Sequence, residues 1–200
     1  MGRGGFPAYR RLGRRFFARS AEELAPDLLG CALVLRVGGL TLAIKLVEVE
    51  AYLGVGDDPA SHAFRGRTAR NEQMFATPGH LYVYFTYGMH YCSNVVAEKK
   101  GVAGAVLLRA GEALQGAELM GARRGRKGVE IANGPAKLCQ ALGLDLRHNG
   151  LDLTRDELGI WPFETPKRVA RSSRIGVREG RQLRLRFFDP DSPFVSGKRT

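Results

Sequence analysis

Two glutamates one residue apart, Glu48 and Glu50, end a run rich in Leu, Ile and Val that begins at Leu40. In an extended chain alternate residues share a face. That periodicity predicts Ile44, Leu46, Glu48, Glu50 and Tyr52 on one side, with the two carboxylates about 6.5–7 Å apart at Cα. A carboxylate ending an apolar strand must be solvated, paired or catalytic, and a pair at this spacing suits hydrolysis of a glycosidic bond by acid and base. Either glutamate could instead pair with Arg109, the lone charge in the apolar run 105–110, or cap a neighbouring backbone group.

Tyrosines at 52, 82, 84, 87 and 91 crowd the segments around those acids. Such clusters form cores as readily as ligand cages. Tyr87 precedes Gly88 at an expected hairpin tip, where a large amphipathic ring on a basic protein is what a wedge inserted between DNA bases needs. His62 stands in a polar loop with no second histidine at ligand spacing, so no metal centre is expected. Arg65, Arg67 and Arg70 in the same loop suit phosphates beside a pocket, or a solvated loop face.

These residues need elements to hold them. Ser20 and Glu23 form a capping box that opens a helix, with Pro26 within it and Gly30 placed to end it. Residues 31–37 and 40–52 read as a hairpin turning at Gly38 and Gly39. The stretch 81–96 reads as an aromatic, β-branched hairpin with Tyr87 near its tip. Residues 105–110 form a further strand, 112–123 a helix, and Asn133, Gly134 and Pro135 start another helix that stops before Gly143. Short strands are expected near 151–154, 169–177 and 183–188. The loop 54–76 between these elements is long enough to expect function in it.

The 200 residues carry a formal charge of +11 and a sequence pI near 10.1, which favours a polyanionic partner. The positive charge is mostly Arg, the side chain that grips phosphate in two-pronged fashion and stacks on bases. A chain of this length and 44% hydrophobic content fits one domain. It has no apolar run long enough for a membrane-spanning helix. Cys31, Cys92 and Cys139 are odd in number and lack zinc spacing, so a reducing, intracellular compartment is expected. Residues 1–16, Arg-rich and without an acid, read as a flexible basic arm ahead of one domain over 17–200.

In order along the chain, Val49–Gly54 (VEAYLG), Pro59–His62 (PASH), Arg70 and Asn71, Met74 and Phe75, Pro78 and Gly79, Leu81–Tyr84 (LYVY), Tyr87–Met89 (YGM), Asn94, Leu107–Ala110 (LLRA), Asn133–Cys139 (NGPAKLC) and Ser192–Ser196 (SPFVS) resemble the 3-methyladenine (alkyladenine, methylpurine) DNA glycosylase family. The resemblance runs from about residue 17 to 197. It implies one compact α/β (α+β) domain around a curved, largely antiparallel sheet, with peripheral helices and a protruding hairpin. It implies a monofunctional DNA N-glycosylase of base-excision repair. Such an enzyme flips a damaged purine (3-methyladenine, 7-methylguanine, hypoxanthine or ethenoadenine) from double-stranded DNA and hydrolyses its bond to deoxyribose, without lyase activity.

By the same resemblance Glu50 is the general base, Arg109 contacts the water, and the main-chain carbonyl of Ile175 is a third water partner. Tyr52 stacks on one face of the base and His62 with Tyr84 on the other, while the Ala60 backbone reads the base edge. Asn94 opposes the exocyclic amine of normal guanine. Tyr87 fills the gap left by the flipped nucleotide, with Met89 and Leu107 on the same side. No cofactor or membrane is implied; a monomer in the bacterial cytoplasm, associated with the nucleoid, is expected. Two rivals stand beside this reading: a carbohydrate hydrolase using Glu48 with Glu50, which the charge disfavours, and a nucleic-acid binder without catalysis.

Overall fold

The hairpin expected near the N-terminus is the start of a curled sheet. In a computed structural model, which describes Phe6 and residues 10–197, strand β1 (Ala32–Val37) pairs antiparallel with β2 (Leu40–Tyr52) across Gly38 and Gly39, whose φ values are 56° and 76°. The other strands are β3 (Leu81–Thr86), β4 (His90–Val96), β5 (Ala105–Gln115), β6 (Leu158–Trp161), β7 (Ala170–Ser172) and β8 (Arg186–Phe188). Among the described residues they make one eight-stranded sheet of order β3-β4-β5-β2-β1-β6, with β8 joining the β2 edge beside Glu48–Glu50 and β7 beyond it. Every pairing between these strands is antiparallel.

Among the described residues four α-helices accompany the sheet: α1 (Arg14–Phe17), α2 (Ala21–Leu28), α3 (Ala117–Arg124) and α4 (Pro135–Leu142). The Ser20 hydroxyl accepts from the Glu23 amide while the Glu23 carboxylate accepts from the Ser20 amide, the reciprocal cap read from the sequence. The helix ends at Leu28, and Gly30 follows at φ 79° with the Glu164 carbonyl so close that a Cβ would lie 1.6 Å from it. Ala21, Leu24, Ala25 and Leu28 form one buried stripe of α2. With Leu138, Ala141 and Leu142 of α4 they join the core formed by Leu33, Ile44, Leu46, Val49, Ala51, Val106 and Leu108.

The alternation expected along β2 does not hold. Its register against β5 slips between Leu46 and Glu48 and again between Glu48 and Val49. Ile44 and Leu46 belong to the helix-covered core, and so do Val49 and Ala51 beyond the irregularity. Glu48, Glu50 and Tyr52 therefore face away from the stripe formed by Ile44 and Leu46. A bulge adds a residue and re-aims the side chains beyond it. Here it turns both carboxylates away from the apolar core and toward the opposite face.

The strand expected at 151–154 is a turn with a single bridge from Asp152 to His80, and the strand next to it is β6, an edge partner of β1. The expected helix start at Glu112 falls inside β5, which runs on to Gln115 because β2 is long enough to pair with it throughout. Gly111 permits that pairing, since a Cβ there would lie 2.2 Å from the Ile44 side chain. Tertiary pairing overrides the local helical pattern, and α3 waits until Ala117. The strands expected at 169–177 and 183–188 shrink to β7 and β8.

Of the basic arm, residues 1–5 and 7–9 lie outside the described residues. Farther along it, the Leu12 amide donates to the Ile160 carbonyl, and Arg14 pairs with Asp152.

Candidate active site

A cleft of about 740 Å³ opens on the face of the sheet that the bulge turns Glu48 and Glu50 toward. Tyr52, Ala60, His62, Tyr84, Asn94, Leu107, Arg109 and Ile175 line it, and Tyr87 stands at its border. Three segments supply these walls: the adjoining strands β2 to β5, the loop after β2, and the segment 175–179 between β7 and β8.

Glu50 lies directly behind the wall and is fully buried. Its Oε1 accepts from the Ile175 amide at 2.7 Å, and its Oε2 from the Tyr52 hydroxyl at 3.0 Å, with Arg109 Nη1 3.2 Å away. Those three partners all line the cleft. Burial pushes the Glu50 pKa above the usual carboxylate range; Arg109, the Ile175 amide and the Tyr52 hydroxyl pull against it, and Glu48 adds to it. A carboxylate so poised, with a cation and an amide holding it in one orientation, is suited to taking a proton.

Glu48 has a different office. Its Oε1 accepts from Arg109 Nε at 2.9 Å, Arg186 Nε at 2.8 Å and the Ser196 hydroxyl at 2.9 Å, and its Oε2 accepts from the Ser196 amide at 2.6 Å. A buried carboxylate shared by two guanidiniums and by both donors of Ser196 is a fixed counter-charge. Arg109 links the two acids and also donates to the Ser196 hydroxyl. Burial opposes the charge of Arg109, but Glu50 and Glu48 outweigh it and raise its pKa.

The pocket walls follow from strand parity. Leu81 and Val83 face the helix-covered core, so Tyr82 and Tyr84 face the cleft side. The His62 ring stands edge-on to Tyr84 with centroids 4.6 Å apart, and its Nδ1 lies 2.9 Å from the Tyr82 hydroxyl. Partial burial and Arg70 lower its pKa. Asn94 is buried and donates to the Tyr82 carbonyl at 3.1 Å. The Ala60 amide is already committed to Asp58 Oδ1 at 3.1 Å.

At the hairpin tip, Tyr87 is 85% exposed and Met89 69%. The Met89 amide closes a turn on the Thr86 carbonyl, and both central residues have positive φ, 51° at Tyr87 and 66° at Gly88. Two such residues match the twist of a tight hairpin, but a bulky non-glycine residue pays about 1–3 kcal/mol of strain in a sparsely populated backbone region. Leu107 is buried within β5, opposite Glu50 and Asn94, and lines the same cleft as Tyr87. Arg65, Arg67 and Arg70 are exposed; Arg65 lines the cleft, while Arg67 pairs with Glu72 at 3.1 Å.

A sequence model described as methylpurine-DNA glycosylase matches residues 15–193. The chain belongs to the methylpurine-DNA glycosylase family. It is 46% identical over 191 residues to a Carboxydothermus hydrogenoformans protein, covering 94% of this chain and 99% of that one. A Chlorobium phaeobacteroides protein is 45% identical, with 94% and 96% covered, and a Streptomyces avermitilis protein 46%, with 94% and 92% covered. All three carry the name "Putative 3-methyladenine DNA glycosylase". This glycosylase is thus a hydrolase of N-glycosidic bonds that binds DNA and acts in base-excision repair of alkylated purines.

Sequence reasoning missed four residues that build the site of this methylpurine-DNA glycosylase. Arg186 and Ser196 hold Glu48, and the buried pair Asp58 and Arg174 ties the loop after β2 to the segment that carries Ile175. An isolated Arg in the apolar run 185–188 was the available signal for Arg186, as for Arg109. Asp58 before Pro59 reads only as a turn residue.

Proposed function

We propose that this glycosylase flips an alkylated or deaminated purine into the cleft and hydrolyses its glycosidic bond with a water that Glu50 deprotonates. The observation that carries the reading is the contrast between the two acids. Both acids have both oxygens hydrogen-bonded, but Glu48 is held chiefly by Arg186 and Ser196, which do not line the cleft, whereas all three groups that hold Glu50 do. In this step water oxygen bonds to C1′ as the bond from C1′ to the purine nitrogen breaks, and the water proton passes to Glu50. Positive charge develops on the sugar ring beside a buried anion, which stabilises it. The free base and an abasic site are the products.

The aromatic walls favour electron-poor bases. Tyr52 would stack on one side and the edge-on pair Tyr84 and His62 would close the other, and a cationic purine gains attraction from the ring face it stacks on. A 3-methyladenine or 7-methylguanine leaves as a neutral base without an acid. Tyr87 would fill the vacated stack, a role to which its exposure and strained backbone lend support. The enzyme works as a monomer on double-stranded DNA in the cytoplasm, a reading with which three free, buried cysteines agree.

The test is single-turnover release of base from duplexes each carrying one lesion. Glu50→Gln is expected to lose at least about 10²-fold in rate while binding lesion DNA as before, the usual size of general-base loss. Retained activity in that variant would remove Glu50 from the role. Retained release of sugar from oligosaccharides with none from DNA would instead favour a carbohydrate hydrolase.

A further inference from the structure

Asp58 and Arg174 form an ion pair outside the acids discussed so far, and both side chains are fully buried. The contact is two-pronged, Nη1 to Oδ2 at 2.5 Å and Nη2 to Oδ1 at 2.6 Å. Asp58 also accepts from the Leu53 and Ala60 amides, at 3.1 Å each, so it fixes the start of the loop that carries Ala60 and His62. Arg174 donates to the Ala51 carbonyl at 3.0 Å and lies under the Tyr52 ring, 4.6 Å from its centroid. The next residue, Ile175, places its amide on Glu50. Gly180, at φ 66°, lets the chain pass so near that a Cβ would lie 3.1 Å from Arg174 Nη2.

One guanidinium therefore touches β2, the loop after it and the ring that walls the cleft, and it immediately precedes the residue that orients the carboxylate. Arg174 has no surface of its own, whereas Tyr52 and Ile175 line the cleft in front of it. Its planar fork suits this work, because two fixed bonds to one carboxylate set direction as well as distance. We propose that Arg174, locked to Asp58 behind Tyr52, is a positioning residue that holds the Tyr52 ring, the Ile175 amide and the Ala60 loop in one register around Glu50. A misplacement of about 1 Å at a reacting group costs on the order of 10²-fold in rate. The pair is thus expected to act on the chemical step and not on DNA affinity.

The kinetic arm of the test rests on Glu50 as the base; a stacking arm does not. Arg174→Lys keeps the charge and loses the fork. On a duplex with one ethenoadenine, at saturating enzyme, its single-turnover rate is expected to fall by about tenfold or more, with the dissociation constant changed less than about threefold. The groups facing Glu50 are Arg109, Glu48, the Tyr52 hydroxyl and the Ile175 amide, with Arg174, whose charge the lysine keeps, and the Cys92 thiol farther out. Loosening that amide removes a bond that favours the anion, so the acid limb of the pH–rate profile is expected to move up. The ethenoadenine fluorescence in the bound complex, set by stacking on Tyr52, is expected to shift toward that of unbound DNA.

A merely structural pair would lower the melting temperature and leave the rate per saturated complex, the acid limb and the fluorescence as in wild type; that result overturns the proposal. Should Arg174→Lys not fold, the double variant Asp58→Asn/Arg174→Gln, which leaves no buried charge unpaired, is read in the same three ways. Failure of both to fold would also overturn it, since the pair would then serve stability. If Glu50→Gln cleaves like wild type, the base assignment falls and the fluorescence alone decides on Arg174.

Discussion

Glu48→Gln and Glu50→Gln change the same few atoms one residue apart, yet the structure requires them to move stability differently. At Glu48 both carboxylate oxygens accept hydrogen bonds, from two guanidiniums and from both the amide and the hydroxyl of Ser196. A glutamine must point its NH2 at one of those donors, and it leaves Arg109 and Arg186 short of a buried counter-charge. Breaking a buried ion pair by removing one partner costs about 3–5 kcal/mol. For a protein of this size each kcal/mol moves the melting temperature by about 2–4 °C, so Glu48→Gln is expected to melt about 6–20 °C lower. At Glu50 a glutamine still accepts from the Ile175 amide, and Arg109 keeps Glu48.

Burial raises the Glu50 pKa in the folded protein above its unfolded value. Its contribution to stability is therefore full below the ordinary carboxylate range and is lost as pH rises through the raised value. Because burial disfavours the charged form of Glu50, glutamine loses little there, and the Glu50→Gln melt is expected within about 3 °C of wild type or above it. Calorimetric melts of the three proteins at pH 7, beside single-turnover rates, check both statements. Equal losses of melting temperature, or a larger one at Glu50, would refute the division of labour between the two acids.

Other expectations rest on the same geometry. Tyr87→Ala removes an 85% exposed ring that no core contact needs, so the fold should persist while the flipped population falls roughly ten- to a hundred-fold, the worth of about 1–3 kcal/mol of base stacking; an unchanged 2-aminopurine signal beside the lesion would make Tyr87 a mere surface residue. The rate of saturated complex should fall as pH drops through a value above the usual carboxylate range, because Glu50 must be ionised to accept the proton; a limb at or below the ordinary glutamate value would contradict its burial. Binding should weaken steeply with added salt, and replacing Arg65 or Arg70 should lower the slope of log affinity against log salt by about one each if they meet phosphates. Arg67, already paired with Glu72, should change it less.

The sequence made the N-terminal hairpin, the capped helix α2 and the hairpin carrying Tyr87 legible, because each is written in local chemistry: Gly38 and Gly39, Ser20 with Glu23, Tyr87 with Gly88. It misled where a distant strand decided the outcome. The residues 112–115 have a helical pattern and lie in β5, because β2 offers them a partner. The bulge near Glu48 leaves no mark in the pattern of hydrophobic residues, since both faces of β2 are buried there and alternation loses its meaning. Tyr52, Tyr84, Asn94, Leu107 and Arg109 line one cleft, with Glu50 held behind it by Tyr52, Arg109 and Ile175. Asp58 with Arg174 could not be paired in advance across 116 residues of chain.

If Glu50 is the base, as proposed, the charges around it bear on how so deeply buried a carboxylate could be ionised. Glu48, Glu50, Arg109 and Arg186 are two anions and two cations in contact, so the cluster is neutral only while Glu50 is charged. Glu48 holds both guanidiniums, which frees Arg109 to lend one nitrogen to Glu50 without being drawn wholly onto it. Burial raises the Glu50 pKa, Arg109 pulls it down, and Glu48 pushes it further up. On the proposed reading Glu48 would tune Glu50 without itself lining the cleft. An isolated pair of carboxylates on one strand face does not predict that asymmetry; the bulge that swings both toward β8 and the Ser196 turn creates it.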